Sequence, residues 1–166
     1  RVFDGGSFAP DLDAAVIASA AETVRWWRER RGDAGWAVDL VVETHDAFCT
    51  TDACLRFERA LDEPVGILWD THHIWFKAGE DPQDTWASLS PFVRHVHVKD
   101  SVREPIRQFP YTYRLPGEGD FALDALLARL ARDGYDRCVS LEWERAWHPY
   151  LPPLDDALQA LAAWCD

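Results

Sequence analysis

The sequence predicts an α/β fold made of repeated βα units, and two observations lead to this. Short runs rich in β-branched residues alternate along the chain with longer runs in which apolar residues recur every three or four positions. This alternation is typical of parallel strands connected by helices. The 166 residues, 48% hydrophobic and 28% charged, also suit one globular domain with its own hydrophobic core.

Five predicted strands are each followed by a predicted helix. The strands are residues 1–3, 37–44, 65–70, 93–99 and 138–142. The helices are residues 11–31, 51–61, a shorter one around 85–89, 123–132 and 154–164. We expect loop 4–6 after the first strand, a stop for the first helix at Gly32, and an irregular segment at 101–119.

Each predicted strand has an apolar face and a face that ends in an ionisable side chain, because side chains alternate along a strand. On strand 93–99, Val96 and Val98 share one face, whereas His95, His97 and Lys99 share the other. The corresponding ionisable residues at the ends of three other strands are Glu43, Asp70 and Glu142. In a parallel barrel these ends converge on one mouth, so we expect the four groups to lie together.

A cluster of three carboxylates and one imidazole predicts a bound cation. Carboxylates that lie close together repel one another and resist ionisation, and a cation is the simplest group that stabilises them. A ligand set rich in oxygen and without thiolate favours Mn²⁺, Mg²⁺ or Co²⁺. We expect Mn²⁺, and Zn²⁺ stays open as an alternative.

Composition and charge argue against several other classes of protein. The formal net charge of −12 opposes binding to a phosphate backbone, so we expect no nucleic acid partner. We find no apolar run near the ~20 residues of a membrane span and no signal peptide, so we expect no membrane association and a cytoplasmic location. The four cysteines form no CxxC pair, which argues against a zinc knuckle or a disulfide framework. Whether the chain forms a homo-oligomer stays open.

Five segments carry a resemblance to a known superfamily. They are Val42-Glu43-Thr44-His45, Trp69-Asp70-Thr71-His72-His73, His95-Val96-His97-Val98-Lys99-Asp100, Gly117-Glu118-Gly119-Asp120 and Ser140-Leu141-Glu142-Trp143-Glu144. Their order and spacing resemble the sugar phosphate isomerase/epimerase superfamily, the xylose isomerase-like TIM barrels. That group includes ketohexose 3-epimerases, inosose dehydratases, hydroxypyruvate isomerases and endonuclease IV. The resemblance covers almost the whole chain and implies a (β/α)8 TIM barrel of which residues 1–166 form about the last five βα units.

The resemblance also implies roles for particular residues. The implied metal ligands are Glu43, Asp70, His97 and Glu142. Glu43 and Glu142 would also act as base and acid on the two faces of the substrate. The implied substrate contacts are His73, Lys99, Arg103 and His45. His95, on the same strand face as His97, would orient that ligand, whereas Glu144 and His148 are expected to be ordinary loop residues.

The implied activity is metal-dependent isomerisation or epimerisation of a sugar or sugar phosphate. The mechanism would be proton transfer next to a carbonyl through an enediolate stabilised by the metal. Dehydration of a keto-polyol needs similar groups and stays open. The alternatives are an endonuclease IV-like phosphodiesterase and a barrel fragment without catalysis that acts as a binding or assembly module.

The length of the chain bears on these alternatives. A complete (β/α)8 barrel takes about 250 residues, so three strands are unaccounted for. The sequence opens with Arg1 and contains no methionine. We therefore expect either a preceding N-terminal part or another element that closes the barrel.

Overall fold

The computed structural model describes residues 1–3, 6, 8 and 14–164. Most of the predicted loop 4–6 and the predicted helix start at 11–13 lie outside the described residues. Within the chain, Arg1–Val96 and His97–Asp166 form two compact units.

The first unit contains a parallel pair of strands, β1 (Val42–Glu43) and β2 (Ile67–Asp70). The next strand in the sheet is β3 (Val93–Val98), which begins in this unit and ends in the second. On the other side of β1, Val2 forms an isolated parallel bridge with Val42. The predicted strands 65–70 and 93–99 are thus confirmed with shorter ends.

The predicted strand 37–44 is wrong in its extent, because only Val42 and Glu43 form a strand. Among the described residues, backbone partners reach this segment near its end: the Val42 N–H donates to the Gly66 carbonyl and the Glu43 N–H donates to the Val2 carbonyl. Further upstream, Val38 is 56% exposed. β-Branched residues favour a strand only where a neighbouring backbone and a packing surface are present.

The first helix, α1 (Ala14–Ala34), continues past its predicted stop at Gly32. The helix ends instead at Ala34, directly before Gly35, whose φ of +66° lies in the left-handed region that glycine adopts readily. The Trp36 N–H then donates to the Arg31 carbonyl, and the Gly35 N–H to the Gly32 carbonyl. These two bonds form a Schellman motif, which satisfies the last carbonyls of the helix.

Two further helices of the first unit begin at side-chain caps. The Thr50 side chain accepts a hydrogen bond from the Ala53 N–H, and the Asp81 side chain accepts one from the Gln83 N–H. The elements of this region are α2 (Thr51–Arg59), a short turn α3 (Thr71–His73), a π-helical segment (Ile74–Ala78) and α4 (Pro82–Leu89). The predicted helix at 85–89 is therefore longer, and the helical residues directly after β2 were not predicted.

Glu58 on α2 supports the entry to β2 from a buried position. Its carboxylate accepts hydrogen bonds from the N–H groups of Val65 at 3.0 Å and Gly66 at 3.2 Å. Burial raises the pKa of the Glu58 carboxyl, while these two N–H groups oppose the rise.

We expect Glu58→Ala to lower the free energy of unfolding by about 1–3 kcal/mol, because two N–H groups would lose their acceptor. Val65 and Gly66 donate to different oxygens of Glu58, so Glu58→Gln keeps an acceptor for only one of them and its loss should be smaller than that of Glu58→Ala. Urea unfolding of both variants measures this difference. Equal losses would show that the carboxylate does not act through these hydrogen bonds.

The second unit contains an antiparallel hairpin that was not predicted. Its strands are β4 (Asp100–Val102) and β5 (Thr112–Arg114), within the segment expected to be irregular. Each strand has three residues, which is too short for a recognisable alternation. The remaining elements are α5 (Leu123–Arg132), β6 (Val139–Leu141), which neighbours β3, and α6 (Leu154–Ala162).

In the part of the chain that the structure describes, no helix has the length and apolarity to cross a membrane.

Candidate metal centre

In the first unit, Glu43 and Asp70 stand at the carboxyl ends of adjacent parallel strands. Their side chains are almost fully buried, with 1% and 0% of their surface exposed. Thr44 joins the two strand ends, because its hydroxyl accepts a hydrogen bond from the Asp70 N–H at 2.8 Å and donates to the Asp70 carbonyl at 3.1 Å. Both carboxylates are therefore held by rigid backbone.

The Asp70 carboxylate is oriented by the helical turn that follows it. Its Oδ1 accepts hydrogen bonds from the N–H groups of His72 at 3.0 Å and His73 at 3.1 Å, so Asp70 caps α3. Its Oδ2 lies 3.5 Å from Nδ1 of His73. Because the cap fixes one carboxylate oxygen, the direction of the other is fixed as well. Glu43 is paired with the guanidinium of Arg1.

Of the predicted substrate contacts, His73 lies beside the Asp70 carboxylate, and His45 packs against His73. Nδ1 of His73 is 3.0 Å from the Thr44 carbonyl oxygen, which can only accept, so Nδ1 carries the hydrogen. The rings of His73 and His45 meet edge to face with their centroids 4.6 Å apart. His45 Nδ1 is 2.7 Å from the Asp46 carboxylate. His95 is half-buried on β3, and its role in orienting His97 stays a prediction.

In the second unit, His97 and Glu142 form a second pair of ligand-type side chains. The Glu142 N–H donates to the Val98 carbonyl at 3.0 Å, which places Glu142 beside the end of β3. Oε1 of Glu142 lies 3.7 Å from Nδ1 of His97. An imidazole and a carboxylate at this separation can both contribute an atom to one divalent ion.

Lys99 is a buried ammonium group between two carboxylates. Only 1% of its surface is exposed, and its Nζ lies 2.6 Å from Glu142 Oε2 and 2.9 Å from Glu144 Oε1. Glu144 is thus a half-buried residue of the expected loop that pairs with a buried ammonium group. Sequence reasoning missed it because its partner lies 45 positions away. The available signal was its spacing of two from Glu142.

Tyr113 and His148 also contact the carboxylate of Glu144. The Tyr113 hydroxyl donates to Glu144 Oε1 at 3.1 Å, and burial raises the pKa of this phenol, so it stays a donor. His148 Nε2 is 3.7 Å from Glu144 Oε2, and its ring centroid is 4.8 Å from that of Tyr113. Burial lowers the pKa of His148, which favours the neutral imidazole. His148 lies in the loop that was expected after the last strand, and its side chain is buried there.

Asp100, next to Lys99, organises the loop that contains Gly117 and Gly119. Its carboxylate accepts hydrogen bonds from four backbone N–H groups, at 2.8–3.2 Å, those of Ser101, Gly117, Gly119 and Phe121. Burial raises the pKa of Asp100, and the four donors oppose this rise. The Gly117-Glu118-Gly119-Asp120 segment thus has a structural role. Arg103 follows β4 with an exposed side chain, and its N–H donates to Asp120.

The four predicted ligands fit a divalent metal by their chemistry. Each offers one ligand atom, a carboxylate oxygen or an imidazole nitrogen. Carboxylates and imidazole together suit Mn²⁺ and related ions and also accept Zn²⁺.

The chain belongs to the family described as xylose isomerase-like TIM barrel, which it matches over residues 3–166. This confirms the predicted fold class and the resemblance found in the motifs. The parallel strands and the helices that follow them in the first unit are elements of this fold.

Several known proteins are similar to the chain. An uncharacterized protein of Escherichia coli (strain K12), YihM, is 26% identical over 123 residues, which are 73% of this chain and 36% of YihM. The structure of the probable 3-DHS dehydratase AsbF from Bacillus anthracis has a TM-score of 0.72 at 20% identity, over 99% of this chain and 62% of AsbF. The structure of IolI with a bound zinc atom has a TM-score of 0.71 at 18% identity, over 98% of this chain and 59% of IolI.

The similar structures also include a D-tagatose 3-epimerase-like protein and a D-psicose 3-epimerase. At these identities the structures show a shared fold. The chain spans less than two thirds of the length of YihM, AsbF and IolI.

Proposed function

We propose that this chain carries the metal centre of an enzyme that isomerises or epimerises a sugar or sugar phosphate. The observation that carries this proposal is the burial of ligand-type side chains at the carboxyl ends of parallel strands, where barrel enzymes have their active sites. Glu43 and Asp70 are 1% and 0% exposed there. Epimerases and a probable dehydratase among the similar structures support the same class of chemistry.

In this proposal Glu43, Asp70, His97 and Glu142 bind one divalent ion. The position of each ligand within its own unit supports it, because Glu43 and Asp70 end β1 and β2 in the first unit, and Glu142 directly follows β6 in the second. A bound divalent ion would stabilise the negative charge that develops on substrate oxygens. We expect Mn²⁺ as the bound ion. Because the similar structure of IolI contains a zinc atom, Zn²⁺ is the alternative ion to test.

Glu43 and Glu142 would transfer the proton. One carboxylate removes a proton from the carbon next to the substrate carbonyl, and the other, once protonated, returns one on the opposite face. Nδ1 of His73 is held by the Thr44 carbonyl, so the ring is fixed with Nε2 as the atom that would contact a substrate oxygen. His45, Lys99 and Arg103 complete the proposed substrate contacts, and His95 would orient His97.

Deuterium exchange tests this function without knowledge of the final product. The protein is incubated in D₂O with Mn²⁺ and a panel of ketohexoses and ketohexose phosphates. We expect deuterium at C3 for an epimerase or at C1 for an isomerase, and EDTA should stop the exchange until Mn²⁺ is restored. A protein that binds Mn²⁺ and exchanges no carbon-bound proton in any of these sugars would contradict the proposal.

A further inference from the structure

The charge around Lys99 bears on which substrates the proposed site accepts. Among the described residues, Lys99 is the one lysine or arginine that is buried. Its ammonium contacts one carboxylate of the proposed metal site, Glu142, and one carboxylate outside it, Glu144. The three groups together carry one net negative charge when all are ionised.

A buried ammonium group would normally favour an anionic ligand. An unpaired buried charge is costly, and a substrate carboxylate or phosphate would stabilise it. Here Glu144 already supplies that second negative charge, at 2.9 Å from Nζ. An anionic substrate group beside Lys99 would instead meet two carboxylates and be repelled.

Glu144 is held firmly in this position. Its Oε1 accepts hydrogen bonds from Lys99 and from the Tyr113 hydroxyl. Tyr113 is itself fixed, because its backbone N–H donates to the Tyr150 hydroxyl at 3.0 Å. The carboxylate therefore cannot swing away from Lys99 without the loss of two hydrogen bonds.

We propose that Glu144 determines substrate specificity: by pairing with Lys99 it directs the site to uncharged sugars and polyols and against sugar phosphates and sugar acids. This inference rests on the proposed function, because it assigns a substrate class to the same site. The charge of Lys99 is then balanced by Glu144, and its ammonium group donates a hydrogen bond to a substrate hydroxyl and does not bind an anion.

The test compares wild type with Glu144→Gln, which removes the charge and keeps the shape of the side chain. Calorimetry measures the binding of D-fructose, D-fructose 6-phosphate and inorganic phosphate to each protein. We expect wild type to favour fructose, and Glu144→Gln to raise the affinity for the two anions at least tenfold relative to fructose. Glu104→Gln removes the same charge from an exposed side chain and should leave the ratio unchanged.

The double variant Lys99→Gln/Glu144→Gln should not show this increased affinity for anions, because it lacks the ammonium group that would bind them. The inference is overturned if wild type binds fructose 6-phosphate more tightly than fructose, or if Glu144→Gln does not change the ratio. The comparison of fructose with fructose 6-phosphate binding to wild type tests the inference even if a variant folds poorly. Phosphate binding needs no turnover, so a failure of deuterium exchange alone counts against the proposed function and leaves the specificity result standing.

Discussion

Glu142→Gln is expected to lower the rate of deuterium exchange by about 10²–10⁴-fold, the usual contribution of a general acid or base. Glutamine has nearly the same shape as glutamate, but its amide cannot take up the proton. Loss of the carboxylate also weakens the proposed metal site. Lys99 keeps its contact with Glu144, so we expect the fold to be retained.

The matched control for this variant is again Glu104→Gln, which should exchange deuterium at the wild-type rate. Circular dichroism and thermal unfolding show whether the variants are folded. A folded Glu142→Gln protein with an exchange rate within about threefold of wild type would remove Glu142 from the proposed mechanism.

Gly119→Ala is expected to lower the free energy of unfolding by about 3 kcal/mol or more, as overpacking next to fixed groups does. A Cβ at this position would lie 2.0 Å from Asp100 Oδ1 and 2.6 Å from the Ser101 carbonyl oxygen. Neither neighbour can move easily, because Asp100 is held by four backbone N–H groups and Ser101 lies in β4. Urea unfolding measures the loss.

Gly32→Ala provides the matched control for this substitution. Gly32 lies within α1, and a Cβ added there would meet nothing within 4 Å. Alanine should stabilise the helix there by up to about 1 kcal/mol. If Gly119→Ala is as stable as wild type, the loop does not depend on the close approach to Asp100.

The sequence predicted well those elements whose residues pack with a clear period. Helix 123–132 was predicted with the ends that the structure shows, because its apolar residues recur regularly and Gly134 follows. Strand 37–44 was too long and the β4–β5 hairpin was missed. Contacts with distant segments decide both cases. The backbones of Val2 and Gly66 determine where the strand at 42–43 lies, and the pairing of Ser101 with Tyr113 forms the hairpin.

The candidate site was predictable to a similar degree. Strand alternation places Glu43, Asp70 and Glu142 at strand ends, where the structure has them. The pairing of Lys99 with Glu144 and the burial of His148 depend on tertiary contacts, so no local pattern revealed them. The hydrogen bonds by which Asp70 caps α3 could not be predicted either, because this helical turn has too few residues to show periodicity.

Titration with Mn²⁺, followed by calorimetry, tests most directly whether these residues form one metal site. We expect one ion per chain for wild type and for Glu104→Gln. Asp70→Asn should weaken binding at least tenfold while the fold is kept, because the asparagine oxygen can still accept the N–H groups of His72 and His73. Failure of the wild-type chain to bind Mn²⁺ or Zn²⁺, or equal affinity in Asp70→Asn, would contradict the proposed site.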